Sequence, residues 1–273
     1  MITSQVAQPL PGQAPVHVQM VFKRTEAKYL LTNAQRSRLE RLISAHVAPD
    51  EFGPSTVRNL YLDTPTLLLA RRSLGHPLYK EKVRVRSYRA AGEHDKVFLE
   101  LKKKCDGVVY KRRCTMELDD ALGLCQCLRE PWTQVELELA VTAAREGGLL
   151  PVAYVAYDRE AFFSTEDRDL RLTFDRRVRA RWSSLSLTED VGEPVLSQGL
   201  NILEVKTSKA MPLWFVAFLS EERLRKATFS KYGTAYRLRY PKGYRPQLAP
   251  APVMVPGGIS LPATNPVGAI ARA

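Results

Sequence analysis

The chain has 273 residues, and its 41 Lys plus Arg against 29 Asp plus Glu give a formal net charge of +12. This balance favours an anionic partner such as nucleic acid, a membrane surface or a phosphorylated molecule. A hydrophobic share of 45% argues against wholesale disorder, and the longest apolar run, Leu213 to Leu219, is too short to cross a bilayer. No secretory signal opens the chain and its four cysteines contain no C-x-x-C pair, so we expect free thiols in a reducing cytosol rather than disulfides or a zinc site.

The two ends differ in composition from the middle of the chain. Residues 1–15 and 246–273 are rich in Pro, Gly, Ala and Gln and contain few aromatic residues. Segments of this kind rarely join a packed core. We therefore predict a disordered N-terminal segment over 1–17, one domain over 18–240, and a flexible tail over 241–273.

The first half of the domain alternates between strand and helix signals. Residues 19–31 read as a strand, and a capping box that begins at Thr32 and ends at Gln35 predicts a helix after it. Residues 57–63 read as a second strand. Pro65 then opens a short helical or irregular stretch.

The strands that follow carry unusually basic faces. Lys82, Arg84 and Arg86 alternate with valines, and Glu100 and Lys102 alternate with leucines. Further strands are predicted over 152–163, 171–179 and 202–206, and a helix is predicted after Pro212. Residues 120–150 fit either a strand or a helix.

Many strands joined by short turns favour an antiparallel sheet that is closed or nearly closed, because closure removes exposed edges. Two orientations of its strands are open. In one, Val, Leu and Phe fill the interior and the charges face water. In the other, the cations line a wet tunnel, which is stable only if an anion occupies it, since unpaired buried charge is costly. The recurrence of the basic face on successive strands favours the tunnel.

Seven short motifs occur in one order along the chain. They are Arg24-x-Glu26-x-Lys28-Tyr29, Tyr61-Leu62-Asp63-Thr64, Val83-Arg84-Val85-Arg86-x-Tyr88, Phe98-Leu99-Glu100-Leu101-Lys102, Tyr157-Asp158-Arg159-x-Ala161-Phe162, Leu203-Glu204-Val205-Lys206 and Phe229-Ser230-Lys231-Tyr232. In this order they resemble the VTC domain, the catalytic module of vacuolar transporter chaperone polyphosphate polymerases, within the triphosphate tunnel metalloenzyme superfamily. The resemblance implies an α+β, mainly β fold: a closed eight-stranded antiparallel β-tunnel with a few flanking helices.

The resemblance also implies roles for individual residues. The catalytic group would be Lys28, Arg84, Arg86 and Glu204, and Glu204 would hold a divalent metal, Mn²⁺ or Mg²⁺. The residues implied to bind the substrate phosphates are Lys28, Arg84, Arg86, Lys102, Arg159, Arg171, Lys206 and Lys231. One or two of the basic residues at 111–113 are also expected to face the tunnel. Whether the odd-numbered or the even-numbered residues of this strand point inward is left open.

Two positions depart from the pattern of the superfamily. Arg24 stands where its triphosphatases have a first glutamate, which favours the polymerase branch. Thr228 stands where a lysine often precedes the Phe-Ser-Lys-Tyr motif. Lys226 is close to this position but has the wrong offset to replace that lysine.

The resemblance implies an ATP-dependent polyphosphate polymerase that transfers the γ-phosphate to a growing polyphosphate chain. Two alternatives stay open: a metal-dependent triphosphatase, and a non-catalytic module that binds polyphosphate or nucleic acid. The expected partners are ATP and inorganic polyphosphate, with no specific nucleic acid because no RNP-type or helix-turn-helix motif is present. We expect a cytoplasmic protein, with peripheral association at the inner face of a membrane left open. Any membrane partner would be a separate chain.

Overall fold

A computed structural model describes residues 25–75, 77–106, 108–167 and 169–241. Ten strands are found within these ranges: β1 Thr25–Thr32, β2 Val47–Pro49, β3 Ser55–Asp63, β4 Tyr79–Ser87, β5 Lys96–Cys105, β6 Val108–Glu117, β7 Leu150–Ser164, β8 Arg171–Arg181, β9 Glu193–Pro194 and β10 Leu200–Thr207. The helices within them are α1 Asn33–Ile43, α2 Leu68–Leu74, α3 Leu118–Cys125, α4 Gln134–Arg145, α5 Leu213–Glu221 and α6 Lys231–Arg239. The sequence places the segments 1–17 and 241–273 outside the domain, and both lie outside the described residues apart from Pro241. The start of the first predicted strand, including Arg24, lies outside them as well.

The strands form one antiparallel sheet, in the order β1-β10-β8-β7-β3-β4-β5-β6, with the short β2 and β9 paired to β7 and β8. The predicted mainly β fold with eight long antiparallel strands and flanking helices is confirmed. The prediction that the sheet closes completely is wrong for the described residues, because no hydrogen-bonded ladder joins β1 to β6. The edge of β1 is instead used by the segment before α6, where the Ala227 amide donates to the Lys28 carbonyl at 2.7 Å.

Helices cover the outer face of the sheet in two groups. Leucine and valine side chains of β3, β4 and β5 pack with α3 and α4, and Leu124 and Leu139 are fully buried in this cluster. Apolar side chains of β1, β8 and β10 pack with α1 and α5, around Phe174 and Phe215. Because side chains alternate along a strand, the charged residues of the same strands face the opposite, concave side. We call this side the lumen face.

One end of the lumen face is filled by a third apolar cluster. Tyr61 and Tyr157 contribute to it together with other apolar side chains of β3, β7 and β8, and α2 and α6 pack onto them, with Tyr232 and Tyr236 from α6. The two helices approach closely at Gly233, where an added Cβ would lie 3.1 Å from Leu74 Cδ2. A side chain there would crowd Leu74, so glycine permits this close packing.

The ambiguous region 120–150 is helical. Thr133 caps α4 by accepting a hydrogen bond from the Glu136 amide at 3.2 Å, and the predicted capping box of α1 is present at Thr32 and Gln35. No helix within the described ranges combines the length and the apolar character needed to cross a membrane.

Candidate functional site in the charged lumen

The register of the sheet aligns the charged side chains of successive strands on the lumen face. Lys28 of β1 lies opposite Glu204 of β10, and Arg159 of β7 lies opposite Asp175 of β8. Farther along the strand order, Arg84 of β4 lies opposite Glu100 of β5 on the same face. Neighbouring residues in register point to the same face, so these pairs converge on a shared hollow.

The first group of charges surrounds Glu204, and we call it the Glu204 cluster. The Oε1 atom of Glu204 lies 3.3 Å from Lys28 Nζ and 3.2 Å from Lys231 Nζ. Its Oε2 atom lies 3.5 Å from Arg159 and 3.9 Å from Lys206. Burial alone would raise the pKa of Glu204, but Lys231, Lys28 and Arg159 outweigh it and hold the pKa well below its usual range. Glu204 is therefore an anion with four cations around it.

Asp175 lies beside this cluster and is fully buried. Arg159 binds it through two hydrogen bonds, at 2.6 and 2.7 Å, and Lys231 Nζ lies 2.5 Å from it. Burial would lower the pKa of Lys231, but Glu204 and Asp175 raise it above its ordinary value. Lys231 begins α6, whose N-terminus is capped by the Ser230 hydroxyl. The position of α6 therefore decides where this lysine lies.

The second group surrounds Glu100, and we call it the Glu100 cluster. Arg84 and Lys111 lie 2.7 and 2.8 Å from the Glu100 carboxylate, Arg86 lies 3.8 Å away, and Arg113 also pairs with it. Burial alone would raise the pKa of Glu100, but Arg84, Arg86, Lys111 and Arg113 lower it strongly. This cluster is rich in arginine, whereas the Glu204 cluster is rich in lysine.

Between the two clusters stand lysines with few acidic partners. Lys82 donates a hydrogen bond to Ser230 Oγ at 2.8 Å, and burial together with repulsion from Lys102, Lys28 and Arg84 lowers its pKa to about 7. Lys102 lies 3.6 Å from Glu26. Burial would raise the pKa of Glu26, but Lys102 and Lys28 lower it to about 2. A group of cations whose charges repel one another is stabilised when an anion binds among them.

Exposure falls steeply along the hollow. The side chains of Lys102 and Lys111 are 42% and 44% exposed, whereas those of Lys231 and Arg86 are 10% and 6% exposed. We call the exposed end, with Lys102, Lys111 and Lys206, the mouth. The opposite end, where Tyr61, Tyr157 and Tyr232 separate the charges from the apolar cluster, is called the floor.

The family model of the VTC domain matches residues 23–240. The chain belongs to the VTC domain family. The resemblance that the seven motifs indicate is thereby confirmed, over nearly the whole of the described chain.

Solved structures similar to this VTC domain come from bacteria and plants. A protein from Bacillus halodurans described as a candidate adenylate cyclase has a TM-score of 0.46 and 14% identity, covering 75% of this chain and 92% of its own. A Hippeastrum protein described as a candidate adenylyl cyclase with dominant triphosphatase activity has a TM-score of 0.47 and 17% identity, covering 78% and 94% of the two chains. A comparison with curated proteins found no match.

The structure of the VTC domain brings most of the sequence-predicted site residues together. Arg171 is the exception, since it is exposed and lies opposite Lys206 at the outer end of the sheet. The residues that contact one of the two clusters or the lysines between them are Lys28, Arg84, Arg86, Lys102, Arg159, Glu204, Lys206 and Lys231. Their roles in binding and catalysis remain predictions.

Several residues that share the hollow were given no individual site role by the sequence. Asp175 and Lys82 have the same parity as predicted residues of their own strands, so the alternation alone could have assigned them. Lys111 and Arg113 both enter, whereas Arg112 points outward and pairs with Glu138 at 3.0 Å. The parity left open at 111–113 is settled by the register of β6 with β5.

The oxygen atoms near Glu204 fit a hard divalent cation. Glu26 shares Lys28 with Glu204, so two carboxylates lie close to one another. The hydroxyl of Thr173, opposite Glu204 in register, is buried and has no hydrogen-bond partner among the described residues. Mg²⁺ and Mn²⁺ accept oxygen ligands of this type and are held in phosphate sites by one or two carboxylates together with substrate oxygens. A separate group, Glu93, His94 and Asp119, could also hold an ion, but it lies at an exposed turn between β4 and β5 and the start of α3.

Proposed function

We propose that this VTC domain is an ATP-dependent polyphosphate polymerase that transfers the γ-phosphate of ATP to a growing chain of inorganic polyphosphate. The observation that carries the proposal is the convergence of two cation clusters on one hollow, in which lysines and arginines outnumber the carboxylates. A triphosphate or polyphosphate is the small anion whose density of charge matches such a site. A flat basic surface would suit nucleic acid better than a concave hollow with acids buried at its centre.

The proposed reaction needs positioning and charge neutralisation more than covalent chemistry by the protein. A terminal phosphate oxygen of the acceptor chain would attack the γ-phosphorus of ATP in line. The bond between this phosphorus and the oxygen that bridges to the β-phosphorus would break, and ADP would leave with that oxygen. The phosphate oxygen is already an anion, so no side-chain nucleophile is required.

The residues of the hollow divide this work between them. Arg84 and Arg86 present planar forks that bind phosphate oxygens in pairs. Lys28 and Lys231 would exchange their contacts with Glu204 for contacts with phosphate. In each case the cation that balances a carboxylate before binding would balance a phosphate afterwards.

Glu204, with Glu26 beside it, would hold the Mn²⁺ or Mg²⁺ ion. When bound, such an ion neutralises charge on phosphate oxygens and orients them. The nearby Thr173 hydroxyl offers a further oxygen donor.

The direct test is to incubate the protein with ATP and Mn²⁺ and to separate the products on a gel that resolves polyphosphate from orthophosphate. Polymer together with ADP is expected. Lys103→Met is a matched control, because Lys103 neighbours Lys102 but points to the outer face, where it pairs with Glu138 at 3.0 Å. Orthophosphate without polymer would contradict polymerase activity and would indicate the second candidate.

That second candidate is a metal-dependent triphosphatase, in which water replaces the phosphate acceptor. The closed floor favours it, because water is small enough to reach a phosphate there from the mouth. A third candidate, a module that binds polyphosphate or nucleic acid without turnover, would give neither product. Competition between short polyphosphate and an oligonucleotide for the hollow would then identify its ligand.

A further inference from the structure

An aromatic pair stands at the outer edge of the Glu100 cluster. Tyr88 directly follows β4, Phe98 lies in β5, and the centroids of their rings are 5.8 Å apart in an edge-to-face contact. Tyr88 is 42% exposed, whereas Tyr61 and Tyr157 at the floor are buried. The ring of Tyr88 is therefore open to a ligand in a way that the rings of the floor are not.

Two arginines of the Glu100 cluster hold this pair in place. Arg113 lies 4.4 Å from the centroid of the Phe98 ring and donates a hydrogen bond to the Tyr88 hydroxyl at 3.4 Å. Arg86 lies 6.0 Å from the centroid of the Tyr88 ring. Both arginines also contact the Glu100 carboxylate. The exposed ring is thus fixed directly beside cations that can bind phosphate.

The aromatic ring and the arginines suit different parts of one ligand. A nucleobase is a flat ring that stacks on an aromatic side chain. A phosphate group instead binds the planar fork of arginine. An inorganic phosphate chain has no part that would stack, so an open aromatic ring beside these arginines matches a nucleoside that is attached to phosphates.

The register places the aromatic pair and the mouth at different ends of one basic row. Phe98 and Lys102 point to the same face of β5 and lie four residues apart, which corresponds to about 13 Å. Arg86 donates to the Tyr157 hydroxyl at 3.2 Å, and Lys231 Nζ lies 4.3 Å from the centroid of the same ring. The two clusters therefore meet at Tyr157, and a triphosphate that starts at the aromatic pair can reach both.

We infer that Tyr88, supported by Phe98, stacks on the base of the nucleoside triphosphate and so sets the direction of the nucleotide in the hollow. This rests on the proposed function, since it names how the same site recognises its phosphate donor. The triphosphate runs from the Glu100 cluster to the Glu204 cluster. The mouth lysines Lys102 and Lys206 are left for the acceptor chain, which approaches the γ-phosphorus from the side opposite the leaving oxygen.

The first measurement uses the wild-type protein and two ligands of equal charge. One is ATP, and the other is ribose 5-triphosphate, which has the same sugar and phosphates without the base. Calorimetric titration in the absence of divalent metal prevents turnover and gives both affinities. ATP should bind about tenfold more tightly, because stacking on one aromatic side chain contributes an effect of this order. A site that recognises phosphate alone would bind the two ligands equally.

Three variants locate the contact at Tyr88. Tyr88→Leu should weaken ATP binding about tenfold and leave ribose 5-triphosphate within about twofold of its wild-type affinity. Tyr88→Phe keeps the aromatic face and loses only the hydroxyl, so it should retain the affinity for ATP. Tyr110→Leu is the matched control and should change neither affinity. Tyr110 is 41% exposed and lies opposite Lys103, whose side chain points to the outer face.

Equal affinity of the wild-type protein for the two ligands would overturn the inference, whether or not the variants fold. Equal weakening of both ligands in folded Tyr88→Leu would also overturn it and would indicate a structural role for the ring. Binding of neither ligand by the wild-type protein would overturn the inference together with the proposed function. A selective loss of ATP affinity in Tyr88→Leu, combined with no polymer synthesis by the wild-type protein, would overturn the polymerase alone and leave the base site in place.

Discussion

The Glu204 cluster and the Glu100 cluster have the same plan and different chemistry. In each, one buried carboxylate contacts four cations. Three of the four are lysines around Glu204, whereas three are arginines around Glu100. Lysine is a mobile point charge, and arginine is a planar fork that holds a fixed orientation.

The residues around the two clusters also differ in how firmly they hold the cations in place. Arg113 lies 4.4 Å from the centroid of the Phe98 ring, and Arg84 donates to the Tyr61 hydroxyl at 3.2 Å, so both guanidinium groups are fixed from two sides. Near Glu204 lie further oxygen atoms, those of the Glu26 carboxylate and of the Thr173 hydroxyl, which has no hydrogen-bond partner among the described residues. A buried acid among cations can therefore hold arginines in fixed orientations in one place and a replaceable set of lysines in another.

The largest effect on turnover is expected from a substitution that disrupts the Glu204 cluster. Glu204→Gln should lower metal-dependent turnover by about a thousandfold, the order observed when a group that stabilises transition-state charge is removed. Steady-state rates across a Mn²⁺ titration, with circular dichroism to confirm folding, would measure this. Unchanged turnover in the folded variant would remove Glu204 from the metal site.

Glu100→Gln provides the matched comparison. It should weaken substrate binding because the arginines lose their shared anchor, while the Mn²⁺ dependence of the remaining rate keeps its wild-type midpoint. If its midpoint shifts as far as that of Glu204→Gln, the proposed division between the two clusters is wrong.

The next effect concerns Lys231, which bridges Asp175 and Glu204. Lys231→Met should reduce turnover by about a hundredfold, as expected for loss of one donor to the transferred phosphate. It should also lower the free energy of unfolding by about 3 kcal/mol, because two buried carboxylates lose a partner. Chemical denaturation would measure this stability, and a more stable variant would contradict the ion-pair arrangement.

Replacement of Lys82 should change stability in the opposite direction to replacement of Lys231. Lys82→Met should raise the free energy of unfolding of the unliganded protein by about 1 kcal/mol, since it removes a cation that repels its neighbours. The same change should weaken polyphosphate binding by about tenfold, because one phosphate contact is lost. Lys103→Met should leave the binding unchanged. Parallel losses of stability and binding in Lys82→Met would indicate a structural role only.

The smallest effect is one of pH. The folded pKa of Lys82, about 7, lies below its value of 10.5 in an exposed chain. The unfolded state therefore binds more protons between these values, so this lysine makes the unliganded protein more stable as the pH rises. Phosphate binding requires the protonated form, so affinity should fall about eightfold between about pH 6.5 and about pH 8.

Calorimetry in buffers of different ionisation enthalpy should detect proton uptake on polyphosphate binding near neutral pH. Lys82→Met should reduce this uptake. Lys111, whose pKa burial lowers to about 8 despite Glu100, accounts for a further part at higher pH. Binding without proton uptake would contradict the proposed contact with Lys82.

The alternation of charges along single strands predicted much of the hollow. Once Lys28, Arg84 and Glu204 are placed on the lumen face, the period of two assigns the other residues of their strands. The sequence pattern could not position Lys231 between Asp175 and Glu204, because this contact depends on how α6 returns across the end of the sheet. It also could not show that the segment around Ala227 hydrogen-bonds to the edge of β1, which has no ladder with β6 among the described residues.

The region 120–150 shows where alternation misleads. Val135 to Leu139 alternates as a strand would, yet it lies in α4. Thr133 caps the helix, and Glu136 faces inward to pair with Arg129 at 2.9 Å. A short alternating run does not distinguish the period of two of a strand from the 3.6-residue period of a helix. Here the helix cap at Thr133 decides between them.

The contact between Lys82 and Ser230 links the lysines of the hollow to the start of α6. The Ser230 hydroxyl accepts a hydrogen bond from Lys82 and caps the helix that begins with Lys231. An anion that draws Lys82 toward itself would remove one partner of this capping residue, so ligand binding and the first turn of α6 would be coupled.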